Sequence, residues 1–226
     1  MPTYTLRTAF TQQDLERFYA TGTNIVVAKP NGGGAPNVAW IVFRPLIDNS
    51  MTWTDEYGIY ASNTDLIAGA VLSQMSKTGY PAEPAKMYEL APAGAFVGPG
   101  SNTPAGSYTA LNSYDNLPKG YLTFGLYQRA EVNGSRVDAN AVSAAPVLYG
   151  STAQITPFTT VYLWTQSSVV GNSVITTVTS EQTIVTFGGS VTQVSLRYDA
   201  TTGKFVPASP AAMEEGLALD YKDPSL

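Results

Sequence analysis

The chain has no cysteine and no histidine, and only 13% of its 226 residues are charged, about half the share found in ordinary globular domains. Without cysteine there are neither disulfides nor thiolate metal sites, so stability has to come from packing and hydrogen bonds. Without histidine, Ser-His-Asp and Cys-His catalysis, His-ligated zinc and an imidazole proton shuttle all lack their defining residue. Basic charge is scarce as well: 12 Lys and Arg stand against 17 Asp and Glu, a net charge of −5. A phosphate backbone finds no clustered cations here, which argues against nucleic acid as a partner. The same scarcity removes polybasic attraction to anionic lipid but leaves open an uncharged or sterol-rich surface. No run of about 18 apolar residues occurs, and Met1–Arg7 lacks a basic stretch leading into an apolar one. These features describe a soluble, leaderless chain that accumulates in the cytoplasm or is secreted by a route other than a signal peptide.

Hydrolytic chemistry is then reduced to carboxylate pairs, which need two acids facing one cleft roughly 5 to 9 Å apart. Asp55 and Glu56 are neighbours on an expected strand and point to opposite faces, while Glu214 and Glu215 fall on an expected terminal helix. Spacing nominates no pair. Lys77-Thr78-Gly79 matches a tripeptide of penicillin-recognising serine enzymes, but no Ser-x-x-Lys precedes it to supply a nucleophile. The glycine-rich stretch Pro30–Asn37 has neither the Lys-Ser/Thr pair nor the following helix of a phosphate loop. Asp48, Asp55, Glu56, Asp138 and Asn140 do not form a calcium loop. No catalytic residue, metal or cofactor is therefore expected, and the chain reads as a non-enzyme. Asn133-Gly134-Ser135 is a glycosylation sequon placed in an expected hairpin turn.

What the chain has in quantity is β-signal. From Phe158 to Leu196, 39 residues carry one charge, Glu181, and Val, Ile, Leu and Phe alternate with Thr, Ser and Gln. Gly171-Asn172 and Gly188-Gly189 suit two-residue hairpin turns that need positive φ. Strands are also expected at Thr3–Ala9, Asn24–Lys29, Val38–Phe43, Ser50–Ala61, Lys86–Leu90 and Ser107–Asn112. Tyr121–Val132 should turn back at Asn133-Gly134, and Val191–Tyr198 should pair with Lys204–Val206. Thr64–Lys77 leans towards strand, because Gly69 and Val71 weaken its helical stripe.

Residues 11–21 carry the signature of a helix: Thr11 as N-cap, Asp14 three residues on, and Phe10 and Leu15 at the staple positions. Leu15, Phe18 and Tyr19 share one face, and Gly22 ends the helix, which is expected to plug one end of a sheet. Ser209-Pro210 opens a second short helix within a tail spanning 209–226. Residues 80–119 are loop-rich, and 121–206 form a hairpin-rich β region. The expected fold is one all-β domain over 1–226, a two-sheet antiparallel β-sandwich of about ten strands with the two short helices.

The local rule breaks in Met51–Tyr60. With period two, Met51, Trp53, Asp55, Tyr57 and Ile59 share an otherwise apolar face, so either a bulge shifts the register or Asp55 has a partner there. Aromatic faces beside a carboxylate suit sugar recognition, which makes Trp53, Asp55, Tyr57 and Tyr60 the candidate ligand-binding residues. The expected function is that of a lectin-like or defence protein binding a neutral surface such as a glycan, as a homo-oligomer. Two alternatives have their own signals. Thr159–Phe187 resembles the uncharged Ser/Thr-rich hairpins with which β-pore-forming toxins enter membranes. Low charge on many β-edges also favours self-assembly.

Overall fold

The computed structural model describes residues 1–117 and 119–208, and it is mostly β. In chain order the elements begin with β1 (Thr3–Ala9), α1 (Gln12–Thr21), β2 (Thr23–Ala28), β3 (Val38–Ala39), β4 (Ile41–Phe43), β5 (Asp48–Thr54) and β6 (Gly58–Ser62). There follow β7 (Gln74–Lys77), β8 (Met87–Leu90), β9 (Phe96–Val97), β10 (Tyr108–Asn112), β11 (Tyr121–Val132), β12 (Ser135–Ala141) and β13 (Ala145–Leu148). The last are β14 (Thr152–Ile155), β15 (Thr160–Ser167), β16 (Ser173–Val174), β17 (Thr183–Thr186), β18 (Gln193–Asp199) and β19 (Lys204–Pro207). The expected C-terminal helix lies outside the described residues.

The largest sheet has nine strands, in the order β19-β18-β1-β5-β11-β6-β7, with β12 and β13 also pairing β11. Two four-stranded sheets, β14-β10-β8-β9 and β17-β15-β2-β4, and the short pair β16-β3 complete the described β-structure. One apolar core joins the three larger sheets: Leu6, Met51, Trp53 and Leu126 from the first, Leu90 and Ala110 from the second, Ile25, Val27 and Leu163 from the third. Each fully buried large aliphatic contributes about 1.5–3 kcal/mol relative to exposure, so this shared core holds the three sheets together.

This layout corrects the two-sheet, ten-strand antiparallel expectation. There are more strands, they are shorter, and two pairings are parallel: β1 with β18 and β8 with β10. Alternation reports which side chains face inward but not which strand is the neighbour, and parallel neighbours are joined by long connections that leave no turn signature. Val38–Phe43 divides between two sheets at Trp40, which is buried and donates from Nε1 to the Gln128 carbonyl at 3.3 Å. Gly171-Asn172 does turn, with Asn172 at φ 63°, yet no hairpin forms there. Asn172 instead donates to the Leu72 carbonyl at 2.6 Å and accepts from the Ala141 amide at 2.8 Å, and β16 pairs with β3. Gly188 and Gly189 both have positive φ and close a tight turn onto Val191, but the strands on either side join different sheets.

Other local readings match the structure. Thr11 accepts from the Asp14 amide at 3.2 Å and Asp14 accepts from the Thr11 amide at 3.1 Å, a reciprocal cap that satisfies two orphan donors. Phe10, Leu15 and Phe18 are buried, with Phe10 packed edge-on against Phe18 and Phe205, so α1 closes the β18–β19 end of the large sheet. Tyr19 turns outward and donates to the Pro45 carbonyl beneath the Arg44 guanidinium. The turn between β11 and β12 has Asn133 at φ 50° and Gly134 at φ 77°, and β18 pairs with β19 as expected. Among the described residues, no helix is long and apolar enough to cross a membrane.

Candidate functional site

The break anticipated in Met51–Tyr60 lies between β5 and β6. Met51 and Trp53 point into the core from β5, whose pairing with β1 ends at Thr54. The next amide, Asp55, bonds to the Pro2 carbonyl at 3.2 Å, and the chain restarts as β6 in a new register on β11. Tyr57, in the gap, is buried edge-on to Tyr108. Its hydroxyl donates to Asp55 Oδ1 at 2.9 Å. Of the two alternatives posed by the sequence, the second holds: Asp55 has a partner, while the shift on β11 preserves parity and keeps Trp53, Tyr57 and Ile59 on one core face.

That hydroxyl also accepts a 2.7 Å hydrogen bond from Lys29 Nζ. Lys29 follows the last residue of β2 and is 2% exposed. Its amine lies 4.9, 5.1 and 5.8 Å from the ring centroids of Tyr57, Trp40 and Trp53. Among the described residues no carboxylate comes within ion-pairing distance of it. Burial disfavours the charged amine and the Asp55 carboxylate offsets this only in part, so its pKa falls to about 7. The Tyr57 phenol moves well above its ordinary value, first through burial and then through Asp55. Nearby, Trp53 Nε1 and Gln128 Oε1 are buried without a hydrogen-bond partner among the described residues, although Gln128 donates from its amide to the Thr54 carbonyl at 2.6 Å.

Of the four residues read from the sequence, Trp53, Asp55 and Tyr57 converge on Lys29. Tyr60 does not. It lies in a separate cluster with Val38, Leu72 and Tyr127, and its hydroxyl donates to the Ser143 carbonyl at 2.8 Å, with burial raising its pKa. The faces of Trp53, Tyr57 and Tyr60 are taken up by packing: Trp53 alone is in contact with Tyr4, Trp40 and Phe187. None of the three is open for a sugar ring. Lys29, Trp40 and Gln128 were missed. One signal for Lys29 was available, since it is the only charge between Arg17 and Arg44 and ends an apolar strand.

Outside this interior lies a groove of about 590 Å³ between the Pro30–Asn37 loop and the segment from β13 to β14, two strands that belong to different sheets. Asn31, Gln154, Pro146, Val147, Ile155 and Phe158 are among the residues that line it, and no lining side chain is charged. The loop is tied down where Asn37 Nδ2 donates to the Ala144 carbonyl at 2.6 Å, and a Cβ on Gly33 would lie 3.6 Å from Phe158 Cζ. Gly32, Ile155, Thr156 and Phe158 also line a small separate cavity together with Lys29 and Tyr57. Its volume is about 10 Å³, close to the minimum that one water occupies.

The Thr159–Phe187 segment is built into its sheet. β15 lies between β17 and β2, and Val161, Leu163 and Trp164 are fully buried. β17 is at the edge, with Ile184 exposed. Among the described residues, no three acidic side chains are grouped as a metal would need. Compared with protein-family models, with curated proteins and with solved structures, the chain shows no significant match.

Proposed function

We propose that the protein is a non-enzymatic, lectin-like binder of neutral glycans, with the sugar lying in the groove between the Pro30–Asn37 loop and the β13–β14 segment. The observation that carries this reading is the groove's chemistry: about 590 Å³ without a charged side chain, where Asn31 and Gln154 stand beside Phe158 and Ile155. Amide groups both donate to and accept from sugar hydroxyls, and an aromatic ring packs on the C–H faces between them. A charged ligand would lose its hydration there and find no counter-charge. Trp53, Asp55 and Tyr57 are not among the residues that line this groove. Each site binds weakly by itself, and a homo-oligomer raises the apparent affinity through multivalency.

The test is a neutral-glycan array probed with the wild type, Phe158→Ala and Gln154→Ala. Wild type is expected to be retained on at least one neutral glycan. Each variant should bind about tenfold more weakly, since one good contact is worth about 1.4 kcal/mol, with unchanged thermal unfolding. Retention of nothing by the wild type, or undiminished binding by both variants, overturns the assignment.

A further inference from the structure

We propose that Asn31 is a self-modification site: the backbone nitrogen of Gly32 attacks the Asn31 carboxamide, ammonia leaves, and a neutral residue of the groove becomes aspartate or isoaspartate. Two Asn-Gly dipeptides occur in the chain, Asn31-Gly32 and Asn133-Gly134. A glycine at the attacking position has no Cβ to obstruct the approach, so both are chemically competent, and the structure separates them. Asn133 is held in its turn: its amide donates to the Ser50 carbonyl at 2.9 Å, its Oδ1 accepts from the Ser50 amide at 2.9 Å and its Nδ2 donates to Asn49 Oδ1 at 3.1 Å. Ring closure expels Nδ2 and re-aims Oδ1, so both side-chain bonds are lost on the way. At Asn31 the side chain makes one long bond among the described residues, from Nδ2 to the Ala144 carbonyl at 3.4 Å, and that acceptor is already taken by Asn37 Nδ2 at 2.6 Å. Among the same residues, Asn31 Oδ1 accepts no hydrogen bond and the Gly32 amide donates none. Gly32 has φ 57° with open space where a Cβ would stand, and residues 32–34 are exposed, so water reaches the reacting atoms.

The chemistry balances with water as the co-reactant. Hydroxide takes the Gly32 amide proton as the nitrogen bonds to Asn31 Cγ and the C=O π pair moves onto Oδ1. When that pair returns, the Cγ–Nδ2 bond breaks and Nδ2 leaves as ammonia with a proton from water, which restores the hydroxide and leaves a succinimide ring. Water then adds to one of the ring carbonyls and cleaves its C–N bond. Opening at Cγ gives aspartate, and opening at the backbone carbonyl of residue 31 gives isoaspartate. Either product puts a carboxylate into a groove that has no charged lining side chain, and replaces an amide that donates and accepts by a group that only accepts. Isoaspartate also adds a carbon to the main chain inside the turn where the Gly34 amide donates to the Asn31 carbonyl at 2.9 Å. The groove thereby loses a donor to sugar hydroxyls as the protein ages. That effect on binding rests on the glycan reading, whereas the conversion itself does not.

The test is incubation of the folded wild-type chain at mildly alkaline pH, with peptide mass spectrometry reading the amide-to-acid mass gain and an isoaspartate methyltransferase reading the isoaspartate. Asn31 is expected to convert at least about tenfold faster than Asn133, because the two side-chain hydrogen bonds that hold Asn133 back are each worth about fivefold. In urea the two rates should come together. Asn31→Gln, whose longer side chain closes a ring far less readily, should stay unchanged at this position in the folded chain. The acidic species, separated by anion exchange, should bind neutral glycans about tenfold more weakly than fresh protein. Equal rates at Asn31 and Asn133 in the folded chain, or conversion of Asn31 only in urea, overturns the proposal. Undiminished binding by the acidic species removes the effect on the groove. A wild type that binds no glycan sinks the glycan reading, while conversion at Asn31 is still decided by the masses.

Discussion

Replacing Lys29 by Met keeps an unbranched side chain of similar length in the aromatic surroundings and removes the one group there that titrates near neutrality. In the folded chain the amine has a pKa of about 7, against 10.5 for a free lysine. The unfolded state therefore binds one proton more than the folded state between those values, and wild-type stability must rise with pH across that window. From about pH 6 to about pH 10 the linkage amounts to about 4 kcal/mol, since each pKa unit is worth about 1.4 kcal/mol. The variant also loses the Lys29–Tyr57 hydrogen bond, about 1 kcal/mol, whereas the Tyr57 bond to Asp55 is retained. Lys29→Met should thus be clearly more stable than wild type near pH 6 and level with it, or slightly weaker, near pH 10. Paired urea titrations measure this, and taking the difference between the two proteins cancels every other titrating group. Parallel stability curves for the two proteins would refute the reasoning, because the amine would then keep an ordinary affinity for protons.

Gly125 on β11 faces the Ser143 carbonyl so closely that an added Cβ would sit 1.9 Å from its oxygen and 2.7 Å from Tyr60 Cε1. Gly125→Ala should therefore lower stability by about 3 kcal/mol or more, and a thermal midpoint within a degree of wild type would contradict that packing. Asn133 combines positive φ in the β11–β12 turn with side-chain bonds to the Ser50 amide and to Asn49. Asn133→Ala should cost about 2 kcal/mol, read as a shift in urea midpoint. Because β15 pairs with β2 along six residues and buries Val161, Leu163 and Trp164, Thr159–Phe187 should stay in its sheet. Dye-loaded liposomes of neutral and sterol-rich composition are expected to remain sealed, and rapid release would revive the pore-forming alternative.

Particular elements show where reading a sequence succeeds. The cap at Thr11 and Asp14, the turn at Asn133-Gly134 and the hairpin of β18 with β19 are local devices in which a few neighbouring residues carry all the determining chemistry. Gly171-Asn172 marks the limit of that logic. Its backbone turns as its residues demand, but the partner of the following strand is β3, far away in the chain. At the candidate site, the irregular alternation around Asp55 was visible, and Trp53, Asp55 and Tyr57 do meet. Tyr60 goes to the other face because its even position alternates with Trp53, Tyr57 and Ile59, whose shared parity the break between β5 and β6 leaves unchanged.

By itself, the sequence determined that the chain is mostly β, where its helix is capped, and that it lacks imidazole and thiol. These follow from residue type and short-range periodicity. Only the tertiary structure decided that Lys29, Trp40, Trp53 and Tyr57 enclose an amine, and that an uncharged groove lies outside it. Both result from pairings between segments distant in the chain. Long-range pairing is chosen by the total burial of many side chains at once, and no local pattern records that sum.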